Sequence, residues 1–505
     1  MNKDAIINKL GSLPSSWVDF LEKNILDKIP AVQKEIEKQT NDLMEELDKT
    51  IRPYDGRYQK HVELPSKGVS YDEIRKQMRE IVEEESQRWG GGYCSGTVYH
   101  GYQEHIDFMN EVYNINSQTN PLHSDLFPSI AKYEAEIVSM TANMLGAKDC
   151  ADKVCGAVTS GGTESILMAI KTYRDYARKE KGITKPEMII PITAHVAFNK
   201  AAEYLKIKLR RIPVDKNFQV DVKKLEKAIN SNTIVIVGSA PQFPQGVVDS
   251  IPKLSKLAIK YNVGLHVDSC LGGFILPWIK KLGYNVPTFD FSLDGVTSIS
   301  ADTHKYGFAP KGTSVVLYRT EKLRSYQYFT YTEWPGGIYF SPTMAGSRSG
   351  ALSAACWASL VSIGEEGFMN IAKNIMTAAN TIKKGIDAIP ELKILGEPFY
   401  NISFTTTNSE HNIFEILDFM GERHWNLNGL IRPNCIHICL TNAQTKEGVA
   451  ERFVEDLKEA VEKVKNNKEK KSGGMAPVYG LASSMPLRGS VSTLLKKYMD
   501  ALYRV

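Results

Sequence analysis

The sequence predicts an α/β protein built on a mostly parallel, doubly wound sheet with helices on both faces. From about residue 153 onward, short runs rich in β-branched residues alternate with segments of helical spacing, as in repeated strand–helix units. The chain of 505 residues, 42% of them hydrophobic, is also long enough to bury a large core. The predicted strands are Val154 to Thr159, Met188 to Thr193, Leu209 to Val214, Thr233 to Ser239, Val263 to Asp268, Val296 to Ser300 and Thr313 to Tyr318.

Three regions follow one another along the chain. Residues 1–115 are charged and helical in pattern, and we expect an arm rather than a compact core. Residues 116–350 hold the predicted sheet and form a large domain. Residues 351–505 begin with a long helical stretch and form a smaller α+β domain. The other elements expected there are strands at Tyr400 to Thr405 and Cys435 to Thr441, a linker at Asn466 to Gly474 and a last helix at Ser490 to Tyr503.

The composition argues against several classes of protein. The 62 basic and 58 acidic residues give a net charge of +4 and are mixed along the chain, so nothing indicates a nucleic-acid partner. Seven cysteines, an odd number spread over the chain, favour reduced thiols and a cytoplasmic location. No apolar run is long enough to cross a bilayer, which predicts a soluble protein. Peripheral association with the endoplasmic reticulum membrane stays open for a eukaryotic source.

The segment from Leu13 to Ile29 has the apolar spacing of an amphipathic helix. Such a helix could contact a membrane surface. Packing on its own domain or on a second subunit is the commoner outcome, and both remain open.

The run Cys435-Ile436-His437-Ile438-Cys439 would place two thiols and an imidazole on one face of a strand. A fourth ligand is not evident, and neighbouring residues of one strand rarely close a tetrahedral metal site. We therefore predict a half-buried strand and no metal.

The most informative motif is Ser300 to Gly307, in which Lys305 follows His304 directly after the strand-like run Val296 to Ile299. An ammonium group at the edge of a buried sheet is costly to desolvate, so its pKa is expected to fall until the free amine can attack a carbonyl. An imine-forming lysine requires this reactivity. Taken alone, the motif is also compatible with a surface lysine after a strand.

A second motif, Thr159 to Ser165, joins a predicted strand to a helix that begins near Thr163. Its two glycines let backbone amides approach an anion, and the helix start adds its dipole. The motif therefore predicts a phosphate-binding loop. A plain strand–helix turn is the alternative, because the loop lacks the lysine of a nucleoside-triphosphate loop.

Two more side chains follow predicted strands at the edge where open α/β sheets bind ligands. His195 could stack on an aromatic ring, although a lone histidine is more often structural. Asp268 could hold a pyridinium nitrogen in its protonated form, although it could also cap the next helix. Phosphate loop, stacking histidine, carboxylate and reactive lysine occur in this order, which predicts the four contacts of pyridoxal 5′-phosphate.

With these residues the chain resembles the fold-type I pyridoxal-phosphate enzymes of the group II decarboxylase superfamily, and within them the lyases that cleave phosphorylated long-chain bases. The resemblance covers nearly everything after about Arg88. Cys270 departs from the family pattern, in which alanine is usual. The matching segments are Ser95 to Tyr99, Asn120 to Pro128, Thr159 to Ser165, Val267 to Gly273, Ser300 to Gly307, Pro310 to Gly312, Gly346 to Arg348 and Gly474 to Gly480.

The resemblance implies a cofactor, pyridoxal 5′-phosphate, and the residues that hold it. Lys305 would carry it as an imine, His195 would stack on its ring, and Asp268 would pair with the ring nitrogen. The active unit would be a homodimer with shared active sites. The groups expected around the cofactor phosphate are Gly162, Thr163 and His304, with Gly346 and Ser347 from a neighbouring subunit.

The resemblance also implies the reaction. A phosphorylated long-chain base would be cleaved in retro-aldol fashion to a long-chain aldehyde and phosphoethanolamine, while the cofactor ring stores the electron pair. Tyr99, His123 and Lys311 are candidates for binding the substrate phosphate, and Tyr99 or Lys311 for the acid or base at the reacting hydroxyl. Lys311 could instead be a solvated turn residue, and Tyr99 part of the core.

Two rival functions remain open at this point. One is an amino-acid decarboxylase of the same superfamily, which would use the same four contacts on a substrate carboxylate. The other is a cofactor-binding structural or regulatory protein without turnover.

Overall fold

The computed structural model describes residues 51–408, 411–466 and 488–504, with side chains from residue 495 onward in the last stretch. The amphipathic pattern at residues 13–29, the expected linker beyond residue 466 and the motif at 474–480 lie outside the described residues. The membrane contact considered for residues 13–29 therefore stays a hypothesis.

Helices and strands alternate through the middle of the chain as the sequence predicts. The long helical segment after residue 350 is interrupted at Gly364, where φ is +60°. The helices are α1 (Tyr71–Ser86), α2 (Gln103–Ile115), α3 (Pro128–Met144), α4 (Gly162–Lys181), α5 (Ala197–Leu205), α6 (Val222–Ala228), α7 (Ile251–Tyr261), α8 (Leu276–Lys281), α9 (Glu321–Ser325), α10 (Gly350–Asp387), α11 (Ile413–Glu422), α12 (Val449–Asn466) and α13 (Arg488–Leu502). The strands are β1 (Cys155–Thr159), β2 (Glu187–Pro191), β3 (Lys208–Ile212), β4 (Thr233–Ser239), β5 (Gly264–Asp268), β6 (Ser298–Ala301), β7 (Ser314–Tyr318), β8 (Phe329–Tyr331), β9 (Tyr339–Ser341), β10 (Leu392–Ile394), β11 (Asn401–Thr406), β12 (Asn428–Leu430) and β13 (Cys435–Cys439).

All seven strands predicted for the large domain exist and form one sheet, in the order β1-β7-β6-β5-β4-β2-β3. Strands β2 to β6 pair in parallel, and β7 runs antiparallel to both of its neighbours, β1 and β6. The predicted fold class, a mostly parallel α/β sheet, is confirmed. The observed strand ends differ from the predicted ones by a residue or two, as expected for pattern-based boundaries.

The central sheet is covered on both faces. Ile189 of β2 belongs to one buried apolar cluster, whereas its neighbours Met188 and Ile190 belong to the other. This alternation is what the period-2 geometry of a strand requires of a sheet packed on both sides.

The smaller sheet has the order β10-β11-β13-β12 and is antiparallel throughout. The prediction that Cys435 to Cys439 form a half-buried strand is wrong, because β13 lies inside this sheet and all five of its residues are buried. Within the described residues, no group of three or more His, Cys, Asp or Glu side chains could hold a metal ion.

Helix α1, in the predicted arm, buries none of its residues. Ile74, Met78 and Val82 are exposed at intervals of four and therefore share one face of the helix. Of the helices that the structure describes, none is sufficiently long and apolar to span a membrane.

Glu187 connects the beginning of β2 to the neighbouring strand β3 and to Asn230. Its Oε1 lies 2.8 Å from Lys208 Nζ, while Oε2 accepts hydrogen bonds from Arg210 and Asn230. These donors, Arg210 above all, lower the pKa of Glu187 to about 2 although the side chain is only 7% exposed. Since β2 leads to His195, this cluster also fixes one end of the segment that carries a predicted site residue.

We expect Glu187→Gln to lower the free energy of unfolding by about 1–3 kcal/mol at pH 7, because a buried charged acceptor of three donors is lost. The folded-state pKa lies below that of an unfolded glutamate, so the carboxylate stabilises the fold above about pH 4.5 and ceases to do so as the pH falls toward 2. Urea unfolding at pH 7 and pH 3 should therefore show a difference that shrinks at the lower pH. Glu226→Gln, at a more exposed pair with Lys260, is the control and should cost much less. Equal losses for both variants would contradict this role.

Candidate active site

The predicted site residues lie at one edge of the central sheet. Strands β1, β2, β5 and β6 end at this edge, and the antiparallel β7 begins there. Asp268 is the last residue of β5, the turn with Lys305 follows β6, and Lys311 precedes β7. The reversed direction of β7 therefore returns the chain to the edge that the parallel strands have already reached.

Lys305 forms an ion pair with Asp302. Its Nζ lies 2.8 Å from Asp302 Oδ2, and the Asp302 side chain is 2% exposed. Burial alone would lower the pKa of Lys305, but the carboxylate outweighs it and raises this pKa above the usual value. Burial alone would raise the pKa of Asp302. Lys305 and the nearby His304 outweigh burial and lower this pKa below its usual value. The expectation that desolvation lowers the pKa of Lys305 is thus wrong, because the carboxylate favours the charged form of the amine.

Glu164 fixes the loop before α4 by hydrogen bonds. Its Oε2 accepts the Ser160 N–H at 2.7 Å, and its Oε1 accepts the Met344 N–H at 2.8 Å. Gly161 has φ +154°, and a Cβ on Gly162 would lie 2.7 Å from both Asp302 carboxylate oxygens. A side chain at Gly162, the first residue of α4, would displace the Asp302 carboxylate. This geometry suits the phosphate loop that the sequence predicts.

His304 lies beside this loop. Its Cε1 would be 3.5 Å from a Cβ on Gly161, and its Nδ1 is buried with no hydrogen-bond partner in the described chain. An unpartnered imidazole nitrogen beside a helix N-terminus fits an anion that accepts from both. The predicted group of Gly162, Thr163 and His304 is therefore brought together, with Thr163 exposed at the loop.

Asp268 and His195 are positioned by hydrogen bonds within their own turns. Asp268 is 7% exposed, and its Oδ1 accepts the Cys270 N–H at 3.1 Å. The His195 ring is exposed, and its Nδ1 accepts the Ala197 N–H at 3.2 Å, so the ring is held at the start of α5. Both side chains are oriented before any ligand arrives.

Tyr99 and Lys311 contact each other close to Lys305. Lys311 Nζ lies 4.5 Å from the centre of the Tyr99 ring and donates to the His304 carbonyl oxygen at 3.3 Å. Burial and the neighbouring Lys305 lower the pKa of Lys311 to about 8. Burial raises the pKa of Tyr99 well above its usual value. Near neutral pH, Lys311 can exchange a proton, whereas Tyr99 keeps its own.

The end of β13 supports both sides of this site. Ser95 Oγ, shortly before Tyr99, accepts the Cys439 N–H at 2.9 Å. Tyr306, directly after Lys305, donates its hydroxyl to the Leu440 carbonyl oxygen. A strand of the smaller sheet thus holds both the Tyr99 segment and the Lys305 turn.

The remaining predicted residues form a second group around Asn120. The backbone carbonyl oxygen of Asn120 accepts the His123 N–H at 3.1 Å, and the side-chain Nδ2 of Asn120 donates to Ser347 Oγ at 3.1 Å. Gly346 precedes Ser347, and Met344, two residues earlier, is bound to Glu164. The described contacts therefore join His123 to Ser347, and the Met344–Glu164 hydrogen bond connects their group to the phosphate loop.

Sequence reasoning missed two contributions. Glu164 links the phosphate loop to a segment 180 residues away, a separation over which a single sequence gives no signal. Arg348 forms two hydrogen bonds with Glu134 and so fixes the segment after Ser347. The Asp302–Lys305 pair had a local signal, a carboxylate three residues before the lysine, but its effect on the lysine pKa needed the geometry.

Comparison with known families defines the class of this protein. A family model described as the pyridoxal-dependent decarboxylase conserved domain matches residues 53–406. The fold and the site together are thus those of a pyridoxal-phosphate-dependent enzyme, with pyridoxal 5′-phosphate as its cofactor. A glutamate decarboxylase structure from Lactobacillus brevis matches with a TM-score of 0.71, and its 20% identity shows the shared fold alone.

More similar relatives narrow the class. The sphingosine-1-phosphate lyase of Arabidopsis thaliana is 47% identical over 484 residues, covering 95% of this chain and 88% of that protein. The enzyme of the same name from Dictyostelium discoideum is 45% identical and covers 96% and 90%. The structure of the Burkholderia pseudomallei sphingosine-1-phosphate lyase matches with a TM-score of 0.80 at 45% identity, over 81% of this chain and 94% of that one. The chain belongs to the sphingosine-1-phosphate lyase family.

Proposed function

We propose that this protein cleaves sphingosine 1-phosphate and related phosphorylated long-chain bases to a long-chain aldehyde and phosphoethanolamine. The proposal rests on the proximity of Lys305 to the Tyr99–Lys311 pair, beside the phosphate loop. An amino group for the cofactor and a second cation for a substrate phosphate then lie at one sheet edge. Amino-acid decarboxylation, the rival enzyme reaction, has support only from the shared superfamily fold.

Pyridoxal 5′-phosphate, when bound, supplies a carbonyl for the substrate amine and a ring that withdraws the electron pair of the cleaved bond. Lys305 would be its point of attachment, and Asp268 would accept a hydrogen bond from the protonated ring nitrogen. His195 would pack on the ring. His304, the backbone at Gly162 and the hydroxyl of Thr163 would bind the phosphate.

Cleavage requires removal of the substrate hydroxyl proton, and Lys311 is the better base. Its lowered pKa leaves free amine near neutral pH, whereas the raised pKa of Tyr99 opposes phenolate formation. Because Tyr99 keeps its proton, its hydroxyl can donate a hydrogen bond to the substrate phosphate. In the protonated form Lys311 also attracts the substrate phosphate, and His123 adds a second donor.

We further propose that the active unit is a homodimer in which the second group serves the partner's site. His123 and Ser347 lie in segments that Asn120 joins by hydrogen bonds. Gly346 and Ser347 would then complete the cofactor phosphate site, and His123 the substrate phosphate site, across the interface.

Exposed apolar surface supports this dimer. The hairpin β8–β9, shortly before Gly346, exposes Phe329, Trp334, Ile338 and Phe340 by 54–75%. Apolar surface of this extent on one hairpin is typical of an interface. The apolar face of α1 is a second surface of this kind.

Incubation of the protein and pyridoxal 5′-phosphate with sphingosine 1-phosphate should release hexadecenal. Lys305→Ala should abolish this release and the visible absorbance of the lysine-bound cofactor, because no other residue offers an amine at that position. Aldehyde release is measured by mass spectrometry and the cofactor by absorbance. Lys260→Ala, a surface change, is the control. A Lys305→Ala enzyme that keeps both activity and absorbance would refute the assignment.

Lys311→Arg separates the two roles of Lys311, since arginine keeps the charge but does not deprotonate. We expect kcat to fall by about 10²-fold with little change in KM. In the wild-type enzyme kcat/KM should rise with pH through about 8, as the amine loses its proton, and the variant should lack this rise. Lys260→Arg should leave the profile unchanged. A large increase in KM with an unchanged pH profile would assign Lys311 to phosphate binding alone.

The shared site can be tested with mixed dimers. Lys305→Ala and His123→Ala chains, each with little activity alone, should recover about a quarter of wild-type activity after unfolding and refolding together, because half of the dimers gain one intact site. Lys305→Ala mixed with Lys311→Ala is the matched control and should recover none, since both residues lie in one group. Recovery in neither mixture would place His123 in the same protomer's site.

A further inference from the structure

The Asp302 carboxylate has an environment that the proposed reaction does not yet use. One oxygen, Oδ2, lies 2.8 Å from Lys305 Nζ and 3.7 Å from His304 Nε2. The other, Oδ1, is buried and has no hydrogen-bond partner in the described part of the chain; the Ser314 hydroxyl lies near the carboxylate but bonds to Ser165 and the Ala301 carbonyl oxygen. A buried carboxylate with an unpartnered oxygen is costly, so its retention needs a compensating role.

The position of Asp302 keeps it ionised. Both carboxylate oxygens lie 2.7 Å from the place that a Cβ on Gly162 would take, at the first residue of α4. The positive end of this 20-residue helix favours a negative charge there. The carboxylate therefore faces two sources of positive charge, the helix start and the Lys305 nitrogen.

Asp302 is the largest source of negative charge acting on Lys305. The Tyr99 phenol and the Cys270 thiol, which also act on Lys305, are neutral near pH 7 because burial raises the pKa of each. The Asp268 carboxylate, on the neighbouring strand β5, acts on Cys270. His304 and Lys311 contribute no negative charge. The groups that face the Lys305–Asp302 pair from the surrounding elements are Tyr99, Cys270, His304, Lys311 and Cys439.

We propose that Asp302 is a positioning residue, whose carboxylate fixes Lys305 Nζ beside the phosphate loop and stabilises positive charge on that nitrogen both before and after it is joined to the cofactor. The proposal rests on the cofactor and on Lys305 as its point of attachment, and it is independent of the substrate. A proton held on this nitrogen makes the attached carbon more electrophilic toward an incoming amine.

The test is a pH titration of the holoenzyme, followed by the absorbance change that marks loss of the proton from the lysine nitrogen joined to the cofactor. In Asp302→Asn the midpoint should fall by at least about one pH unit, a tenfold change in proton affinity. Asp302→Ser removes the same charge with a smaller side chain and should shift the midpoint in the same direction. Pyridoxal 5′-phosphate is kept at saturation, and circular dichroism checks the fold.

Asp221→Asn is the matched control. Asp221 accepts the Lys224 N–H at the start of α6, a position where asparagine caps equally well. The absorbance titration of the Asp221→Asn holoenzyme should have the same midpoint as that of the wild type. An unchanged midpoint in folded Asp302→Asn and Asp302→Ser would overturn the proposal. A wild-type enzyme that shows the absorbance change yet releases no aldehyde would contradict the proposed reaction and leave the role of Asp302 standing.

Discussion

Burial of both faces of the seven-stranded sheet decides where the polar groups of this protein can act. The strands are apolar on each side, so side chains that bind charged ligands are confined to the ends of the strands. The reversal of β7 adds one more turn to that edge and brings Lys311 beside Lys305. Lys305 and Lys311 are thus neighbours as a consequence of strand direction.

Within that edge, the balance of charge differs from what desolvation alone would produce. A lone buried lysine would lose its proton, but Asp302 keeps Lys305 charged, and this charge in turn lowers the pKa of Lys311. One carboxylate therefore gives two nearby lysines opposite properties. The first is fixed in place as an ammonium group, which must lose its proton before it can join an aldehyde, and the second suits proton exchange near neutral pH.

The strands and the polar residues at their ends could be predicted because each has a local pattern: β-branched runs, a glycine pair before a helix, and polar residues after a strand. The pKa of Lys305 could not, since its sign depends on whether Asp302 reaches the amine. Burial of Cys435 to Cys439 was misjudged for a related reason. Alternation along one strand does not reveal that helices and strands cover it on every side. The grouping of His123 with Ser347 also depends on contacts between distant parts of the chain.

The hydrogen bonds at the end of β13 have a consequence for how this enzyme family can vary. Ser95 and Tyr306 are held by Cys439 and Leu440, so the spacing between the Tyr99 segment and the Lys305 turn is set by a strand that carries neither residue. A substitution in the apolar layer beneath β13 would change that spacing without touching the catalytic groups. Changes that adapt the site to a substrate of another size could then lie in the apolar layer beneath the smaller sheet, where comparisons restricted to active-site residues would overlook them.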